Sequence, residues 1–262
     1  MTSQPTAAAP IAAGPAAATL RRDNTVAAMV HLIQALVVVA LATSFALPVT
    51  AAYLQGPPGT PAQDPIVLFD LPTGAAVAAF LALSALAHAL VSTVWWRRYI
   101  TDLGRSRNPA RWVEYSLSSS LMIVLIAQLV GISDVAALLA LFGVNASMIL
   151  FGWLQERYEE PGGRGWLPFV FGCVSGTVPW LAIGVYLLSP GSTSPATPPG
   201  FVYAIFVSLF VFFNVFALNQ WLQYRARGRW RNYLFGERVY ILLSLTAKSA
   251  LAWQIFAGTL AT

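Results

Sequence analysis

Seven long apolar runs constrain the fold of this chain more than any other feature of its sequence. They lie at about 25–47, 73–94, 109–130, 134–154, 166–188, 201–222 and 238–260. A transmembrane helix needs roughly 20 apolar residues, and each run is long enough to supply them. We therefore predict an all-α, rhodopsin-like bundle of seven transmembrane helices, a multi-pass protein surrounded by membrane lipid.

The composition agrees with a membrane protein and divides the chain into two parts. The sequence is 57% hydrophobic and only 10% charged, which is too apolar for an ordinary soluble domain. Residues 1–20 consist mostly of Ala, Pro, Thr and Gly, a composition typical of a disordered tail. We predict one transmembrane domain over residues 21–262, preceded by that tail.

The basic residues predict how the bundle is oriented. Fourteen of the fifteen lie in the N-terminal segment or in alternate loops and their flanks: Arg21, Arg22, Arg97, Arg98, Arg105, Arg107, Arg111, Arg157, Arg164, Arg225, Arg227, Arg229, Arg231 and Arg238. The other loops contain no Lys or Arg, and basic residues concentrate on the cytoplasmic side of membrane proteins. We predict a cell-membrane protein with a cytoplasmic N-terminus and an extracellular C-terminus. Orientation explains the net charge of +5, so no nucleic-acid partner is expected.

Four ionisable residues lie away from the edges of the runs: His31, His88, Glu114 and Lys248. With a rise of about 1.5 Å per residue, their backbone positions lie roughly 7.5 to 15 Å from the ends of the runs on the arginine-rich side. The Lys248 side chain leans toward the N-terminal end of its helix, which brings its amine near the other three. The sequence therefore predicts a polar layer in that half of the bundle, with Glu114 as its only carboxylate.

This layer has structural and functional interpretations. Lys248 and Glu114 could form a structural ion pair, and the two histidines could be satisfied interior side chains. Alternatively, a lysine in an apolar pocket is suited to forming a Schiff base with an aldehyde, and the protonated imine then needs a carboxylate nearby. No metal site and no set of catalytic residues is predicted.

Aromatic residues in the last two runs are numerous enough to line a slot for a conjugated polyene, although most could face lipid or the core instead. They are Phe206, Phe210, Phe212, Phe213, Phe216, Trp253 and Phe256. Of these, we assign Phe210 and Phe213 to the candidate chromophore pocket.

Two segments resemble the heliorhodopsins, a family of retinal-binding seven-helix proteins inverted relative to ordinary microbial rhodopsins. The third run reads WVEYSLSSSLM over residues 112–122, similar to the family's counterion segment. The seventh reads SLTAKS over residues 244–249, similar to its retinal-lysine segment. The resemblance implies retinal, all-trans in the dark, bound to Lys248 as a protonated Schiff base with Glu114 as counterion.

The resemblance also implies roles for neighbouring residues. Ser244 and Ser118 would lie beside the ion pair, and Asn145 and Met148 would belong to the retinal pocket. A cytoplasmic polar cavity would be formed by His31, Gln34, Ser84, His88, Tyr115 and Tyr99. The family further implies a homodimer.

We predict a light sensor with a slow photocycle and an unknown cytoplasmic signalling partner, and not an enzyme. Ion-pumping rhodopsins usually place a second carboxylate one turn before the lysine, where this chain has Ser244, so transport is not expected. A light-gated or light-driven ion transporter is the alternative. A further alternative is a non-photoactive transporter or enzyme that uses Lys248 and Glu114 as a structural or substrate-binding pair.

Overall fold

A computed structural model describes residues 14–189, 192–193 and 197–260, and the long helices it contains are those expected from the apolar runs. Seven are long and apolar enough to cross a membrane. They are α1 (Pro15–Leu41), α2 (Thr73–Ser92), α4 (Pro109–Leu129), α5 (Val135–Tyr158), α6 (Leu167–Leu188), α7 (Gly200–Tyr224) and α8 (Tyr233–Leu260). A short helix, α3 (Trp96–Leu103), lies between α2 and α4, and a 3-10 turn (Gly228–Arg231) lies between α7 and α8.

Several helix ends differ from those expected. The tail was predicted to extend to residue 20, but α1 already begins at Pro15, and Ala17 and Leu20 are buried. Proline is favoured in the first turn of a helix, and the alanines that follow are strong helix formers. Residues 1–13 of the predicted tail lie outside the described residues, as do residues 261–262 of the predicted domain.

The helices α5 and α8 extend beyond their apolar runs. The fourth apolar run ends at residue 154, before Glu156, yet α5 continues through Glu156 to Tyr158. The seventh run begins at residue 238, after Glu237, yet α8 already begins at Tyr233. Both glutamates are buried, at 3% and 1% exposure. The prediction that Glu114 is the only interior carboxylate was therefore wrong, because hydropathy cannot recognise charges that pair with each other inside the bundle.

The segment between α1 and α2 contains a β-hairpin that the sequence analysis treated as a loop. The strands β1 (Ala46–Ala51) and β2 (Ile66–Pro72) pair antiparallel, with Ala46 opposite Pro72 and Ala51 opposite Ile66. Helix α1 ends at Leu41, so the predicted end of the first span near residue 47 lies within β1 instead. Both strands contain β-branched or aromatic residues, which favour extended backbone.

The hairpin marks one end of the bundle and the arginines mark the other. Thr50 of β1 donates its backbone N–H to the Ser133 carbonyl at 2.8 Å, which ties the hairpin to the turn between α4 and α5. The opposite end carries the N-terminus of α1, helix α3, and the α5–α6 and α7–α8 connections. We call these the hairpin end and the arginine-rich end.

Two apolar clusters fill the bundle on either side of a polar layer. The larger cluster occupies the half near the hairpin and includes Phe80, Ile123 and Leu251. The smaller cluster lies at the arginine-rich end, where the buried face of α3 (Tyr99, Ile100) packs with Leu20 and other residues. Along α1, α2 and α8 the residues between the clusters include buried polar side chains, and these form the candidate site.

Candidate functional site

Lys248 and Glu114 meet at the centre of the polar layer. Lys248 Nζ donates to Glu114 Oε1 at 2.6 Å, and both side chains are almost fully buried. Lys248 Nζ also donates to Ser244 Oγ at 3.0 Å, one helical turn earlier on α8. The hydroxyl of Ser84 on α2 donates to the same carboxylate oxygen at 2.6 Å. Three helices therefore fix one cation and one anion in contact within the membrane-spanning part of the bundle.

A large apolar cavity begins at Lys248 and extends between α4, α5, α6, α7 and α8. Its volume is about 700 Å³, within the range of pockets that hold small molecules. Its polar lining includes Tyr115, Ser119 and Ser244. The Lys248 amine lies 5.0 Å from the centre of the Tyr115 ring, so the ring forms one wall beside it.

Aromatic rings form much of the rest of the cavity wall. Trp180 of α6 packs edge-on against Phe206, Phe210 and Phe213 of α7, with ring centres 5.3–5.6 Å apart. These four residues line the cavity, as does Met148. Phe210, Phe213 and Met148 were predicted for the pocket, whereas Trp180 was not, because it lies on α6, outside the two aromatic-rich runs.

Glycines keep part of the cavity open. Gly172 and Gly176 of α6 both line it, and a Cβ added to Gly176 would come within 2.5 Å of Met148 Sδ. The sequence did not predict that these glycines line the cavity, because their spacing is also common where membrane helices pack closely.

Asn145, predicted for the pocket, and Ser118, predicted beside the ion pair, have other surroundings. Asn145 donates to Ser119 Oγ at 2.9 Å and to Ser120 Oγ at 3.0 Å, so it contacts the cavity wall through Ser119. Ser118 is fully buried on α4, and its hydroxyl has no hydrogen-bond partner among the described residues. Neither residue lines the cavity itself.

The histidines lie beside the ion pair, toward the arginine-rich end. Their rings stack with centres 5.9 Å apart, and His88 Nδ1 is 2.7 Å from Asn24 Oδ1. The amide of Asn24 also donates to the Tyr99 hydroxyl at 3.3 Å. Burial raises the pKa of Tyr99, so this hydroxyl stays protonated over the physiological range. Asn24 was not predicted from the sequence, because an amide near the start of a span resembles a polar flank.

His31 and Gln34 complete the polar layer on α1. His31 is fully buried, and neither ring nitrogen has a hydrogen-bond partner among the described residues. Gln34 pairs with Ser249 of α8, with its Nε2 2.9 Å and its Oε1 3.0 Å from Ser249 Oγ. Of the six predicted cavity residues, His88, Tyr99 and Tyr115 line a common small cavity. Ser84 contacts Glu114, and Gln34 is bound to α8 rather than to the histidines.

A second buried charge cluster lies nearer the arginine-rich end, and the sequence analysis missed it. Arg111 forms ion pairs with Glu156 of α5 and Glu237 of α8, and its guanidinium lies against the rings of Trp112 and Tyr240. Arg111 lies only two residues after the start of α4, so its position in the sequence resembles that of the arginines that orient the bundle.

Comparisons with known proteins identify the family and the fold. The heliorhodopsin family model matches residues 20–260, nearly the whole chain. Among solved structures, the fold is similar to that of a light-driven proton pump, LR (Mac), from Leptosphaeria maculans. The TM-score is 0.65 at 13% sequence identity, covering 95% of this chain and 98% of the pump. At that identity the likeness concerns the fold alone. The curated protein sequences contain no significant match.

Proposed function

The chain belongs to the heliorhodopsin family, and from this premise we propose that it is a light sensor in which Lys248 holds retinal and Glu114 is the counterion. The family and the rhodopsin-like fold imply a retinal chromophore. One observation carries the assignment to these two residues: the only lysine of the chain lies at the wall of a large apolar cavity with a carboxylate oxygen 2.6 Å from its amine.

The residues around the cavity fit an elongated polyene. The wall is formed largely by Trp180 and phenylalanine rings, against which a flat conjugated chain can pack. Glycines on α6 leave room along one side. Retinal joined to Lys248 as a Schiff base, all-trans in the dark, would supply visible-light absorption and a bond that isomerises on excitation.

The polar layer supplies the electrostatics that such a chromophore needs. Glu114 balances one buried positive charge at the Lys248 nitrogen, and Ser84 donates to Glu114 and so holds that carboxylate in place. His31 and His88 stack next to the pair, and a neutral imidazole has one ring nitrogen that can accept a proton. These residues support transfer of a proton within the arginine-rich half of the bundle.

The other half of the bundle supports a sensor rather than a pump. Between the ion pair and the hairpin end, the buried polar side chains in the described part of the chain are neutral, among them Ser120, Gln128 and Thr73. Ser244 accepts a hydrogen bond from Lys248 at the position where pumps usually carry a second acid. A transported proton would therefore lack an ionisable group on that side, whereas interior charges in transporters usually mark the pathway.

The proposed function includes an orientation in the membrane, an oligomeric state and a partner. The arginine-rich end faces the cytoplasm, because basic residues are concentrated there. The protein acts as a homodimer, signals through a cytoplasmic partner and does not act as an enzyme. Family membership and the position of the polar layer near the arginine-rich end support this proposal.

A light-driven ion transporter is the second candidate, favoured by the similarity in fold to a proton pump. Expression with all-trans retinal, followed by photocurrent recording from the cells, separates the two functions. We expect a visible absorption band that hydroxylamine bleaches, together with no steady photocurrent. The Lys248→Ala variant, carried as a control, should have no such band. A sustained photocurrent in the wild type that is lost in Lys248→Ala would show transport and contradict the sensor proposal.

A further inference from the structure

The Arg111 cluster contains one more carboxylate than cations. Arg111 Nη2 lies 2.6 Å from Glu156 Oε2, and Arg111 Nη1 forms an ion pair with Glu237 Oε1. The three side chains are 4%, 1% and 1% exposed, so water does not screen their charges. No second basic side chain lies within 4.0 Å of either glutamate in the described part of the chain.

Neutral donors surround both carboxylates. Glu156 accepts from the backbone N–H of Asn108 and from the Tyr233 hydroxyl, the latter at 3.0 Å. Glu237 accepts from the side-chain amide of Asn108 at 2.8 Å. Further titratable groups with electrostatic influence on the cluster are Tyr99 of α3, Tyr115 of α4, Tyr224 of α7 and Tyr240 of α8. All of these are tyrosines, so none supplies a second positive charge at neutral pH.

Buried polar atoms beside the cluster are left without partners. Arg111 Nε and the Tyr224 hydroxyl have no hydrogen-bond partner among the described residues. A narrow cavity of about 40 Å³ lies between Arg111, Glu237 and Tyr240 on one side and His88 and Glu114 on the other. A cavity of this size can hold a water molecule. Glu114 and two members of the cluster, Arg111 and Glu237, therefore border the same space.

If both glutamates were ionised, the cluster would bury a net negative charge. Two carboxylates that share a site usually ionise one after the other, because the second negative charge is repelled by the first and loses its hydration. One guanidinium can compensate only one of them. A carboxylic acid can remain in the cluster as both donor and acceptor, and the orphaned polar atoms offer it partners.

We infer that Glu156 and Glu237 together bind one proton in the resting protein, so that the Arg111 cluster is electrically neutral. This proton site is separate from the Lys248–Glu114 pair and is present whether or not a chromophore is bound. It lies along the cavity that Glu114 also lines, which places a stored proton in the half of the bundle where the histidines lie.

Infrared spectroscopy of the protein expressed without retinal tests this inference. Labelling glutamate with ¹³C at its side-chain carboxyl identifies the C=O stretch of protonated glutamic acid. At neutral pH we expect a band equivalent to one protonated glutamate per chain. Glu156→Gln and Glu237→Gln should each abolish it, because the remaining carboxylate then has Arg111 to itself. Glu160→Gln, at an exposed position in the connection between α5 and α6, should leave the band unchanged.

Two results would overturn the inference: absence of the band in the wild type, or its persistence in either single variant at Glu156 or Glu237. The wild-type measurement needs no substitution, so it decides the matter even if a variant does not fold. Because no chromophore is involved, failure of this experiment leaves the light-sensor proposal standing, and failure of that proposal leaves this one standing.

Discussion

Glu114 is a carboxylate inside a membrane protein that is held ionised by its partners. Lys248 and Ser84 donate to it from two different helices. A buried charge is strongly unfavourable alone and becomes tolerable when it is paired and hydrogen-bonded. Under the proposed function, this negative charge beside the lysine controls the colour of the chromophore.

Replacing Glu114 by Gln should shift the visible band of the pigment to longer wavelength. Without the negative charge, the positive charge on the nitrogen is less strongly held there, and excitation that moves it along the polyene requires less energy. Absorption spectra of the purified pigment measure the shift. Ser84→Ala, which removes only a hydrogen bond to the same oxygen, should cause a smaller shift. An unchanged spectrum in Glu114→Gln would mean that another group is the counterion.

Gly176 should be intolerant of a large side chain. A leucine there would project into the cavity beside Met148, and overpacking of this kind costs about 1–3 kcal/mol. We expect retinal to bind about tenfold more weakly to Gly176→Leu in a titration of the protein without chromophore. Gly143→Leu is the matched control, because that glycine is exposed on α5 with open space around it. Equal loss in both variants would argue against the cavity as the binding site.

Among the secondary-structure elements, helix α5 begins at a defined cap. Asp134 accepts from the backbone N–H groups of Ala136 and Ala137 at 2.9 and 3.1 Å. These N–H groups have no partner within the helix, so the carboxylate satisfies them. The same turn contacts β1 through Ser133, and the start of α5 is therefore joined to the hairpin.

Asp134→Ala should lower the free energy of unfolding by about 1 kcal/mol, the usual cost of losing an N-cap side chain. Asp134→Asn keeps the capping oxygen and should be nearly neutral. Denaturant unfolding in one detergent, with both variants measured beside the wild type, provides the comparison. If Asp134→Ala and Asp134→Asn were equally destabilising, the charge of Asp134 rather than its cap would be responsible.

The sequence predicts the long helices well because a helix that crosses the membrane needs about 20 consecutive, mostly apolar residues. It fails at the end of α5, at the start of α8 and at the hairpin, where tertiary contacts determine the secondary structure. Glu156 and Glu237 lie where the hydropathy falls, yet their ion pairs with Arg111 allow α5 and α8 to continue. The hairpin strands are short, and pairing with each other and contact with Ser133 fix them.

The candidate site likewise contains residues that the sequence predicts and contacts that it does not. Lys248 and Glu114 could be identified because ionisable residues are rare in apolar runs. The contacts of Ser84 with Glu114, and of Asn24 with His88, depend on how the helices rotate about their axes, which periodicity does not determine here. Trp180 and Gly176 belong to residue types that are common in any membrane helix.

At the scale of the whole molecule, the two ends of the bundle differ in charge. Thr60 lies at the exposed tip of the hairpin, and Glu160 lies in an exposed connection at the arginine-rich end. With the native Cys173 replaced by Ala, single cysteines at these two positions report the orientation. A membrane-impermeant thiol reagent added to intact cells should label Thr60→Cys and leave Glu160→Cys unlabelled until the membrane is opened. The reverse pattern would place the arginines outside.

The central claim is that the Lys248 amine carries the chromophore, and chemical mapping of the attachment site tests it directly. Reduction of the pigment with borohydride converts an imine into a stable secondary amine, and peptide mass spectrometry then locates the retinyl group. Lys248 is the only lysine of the chain, so we predict one adduct on the α8 peptide that contains it. A coloured protein whose retinyl group is found elsewhere, or whose Lys248 remains unmodified after reduction, would contradict this account.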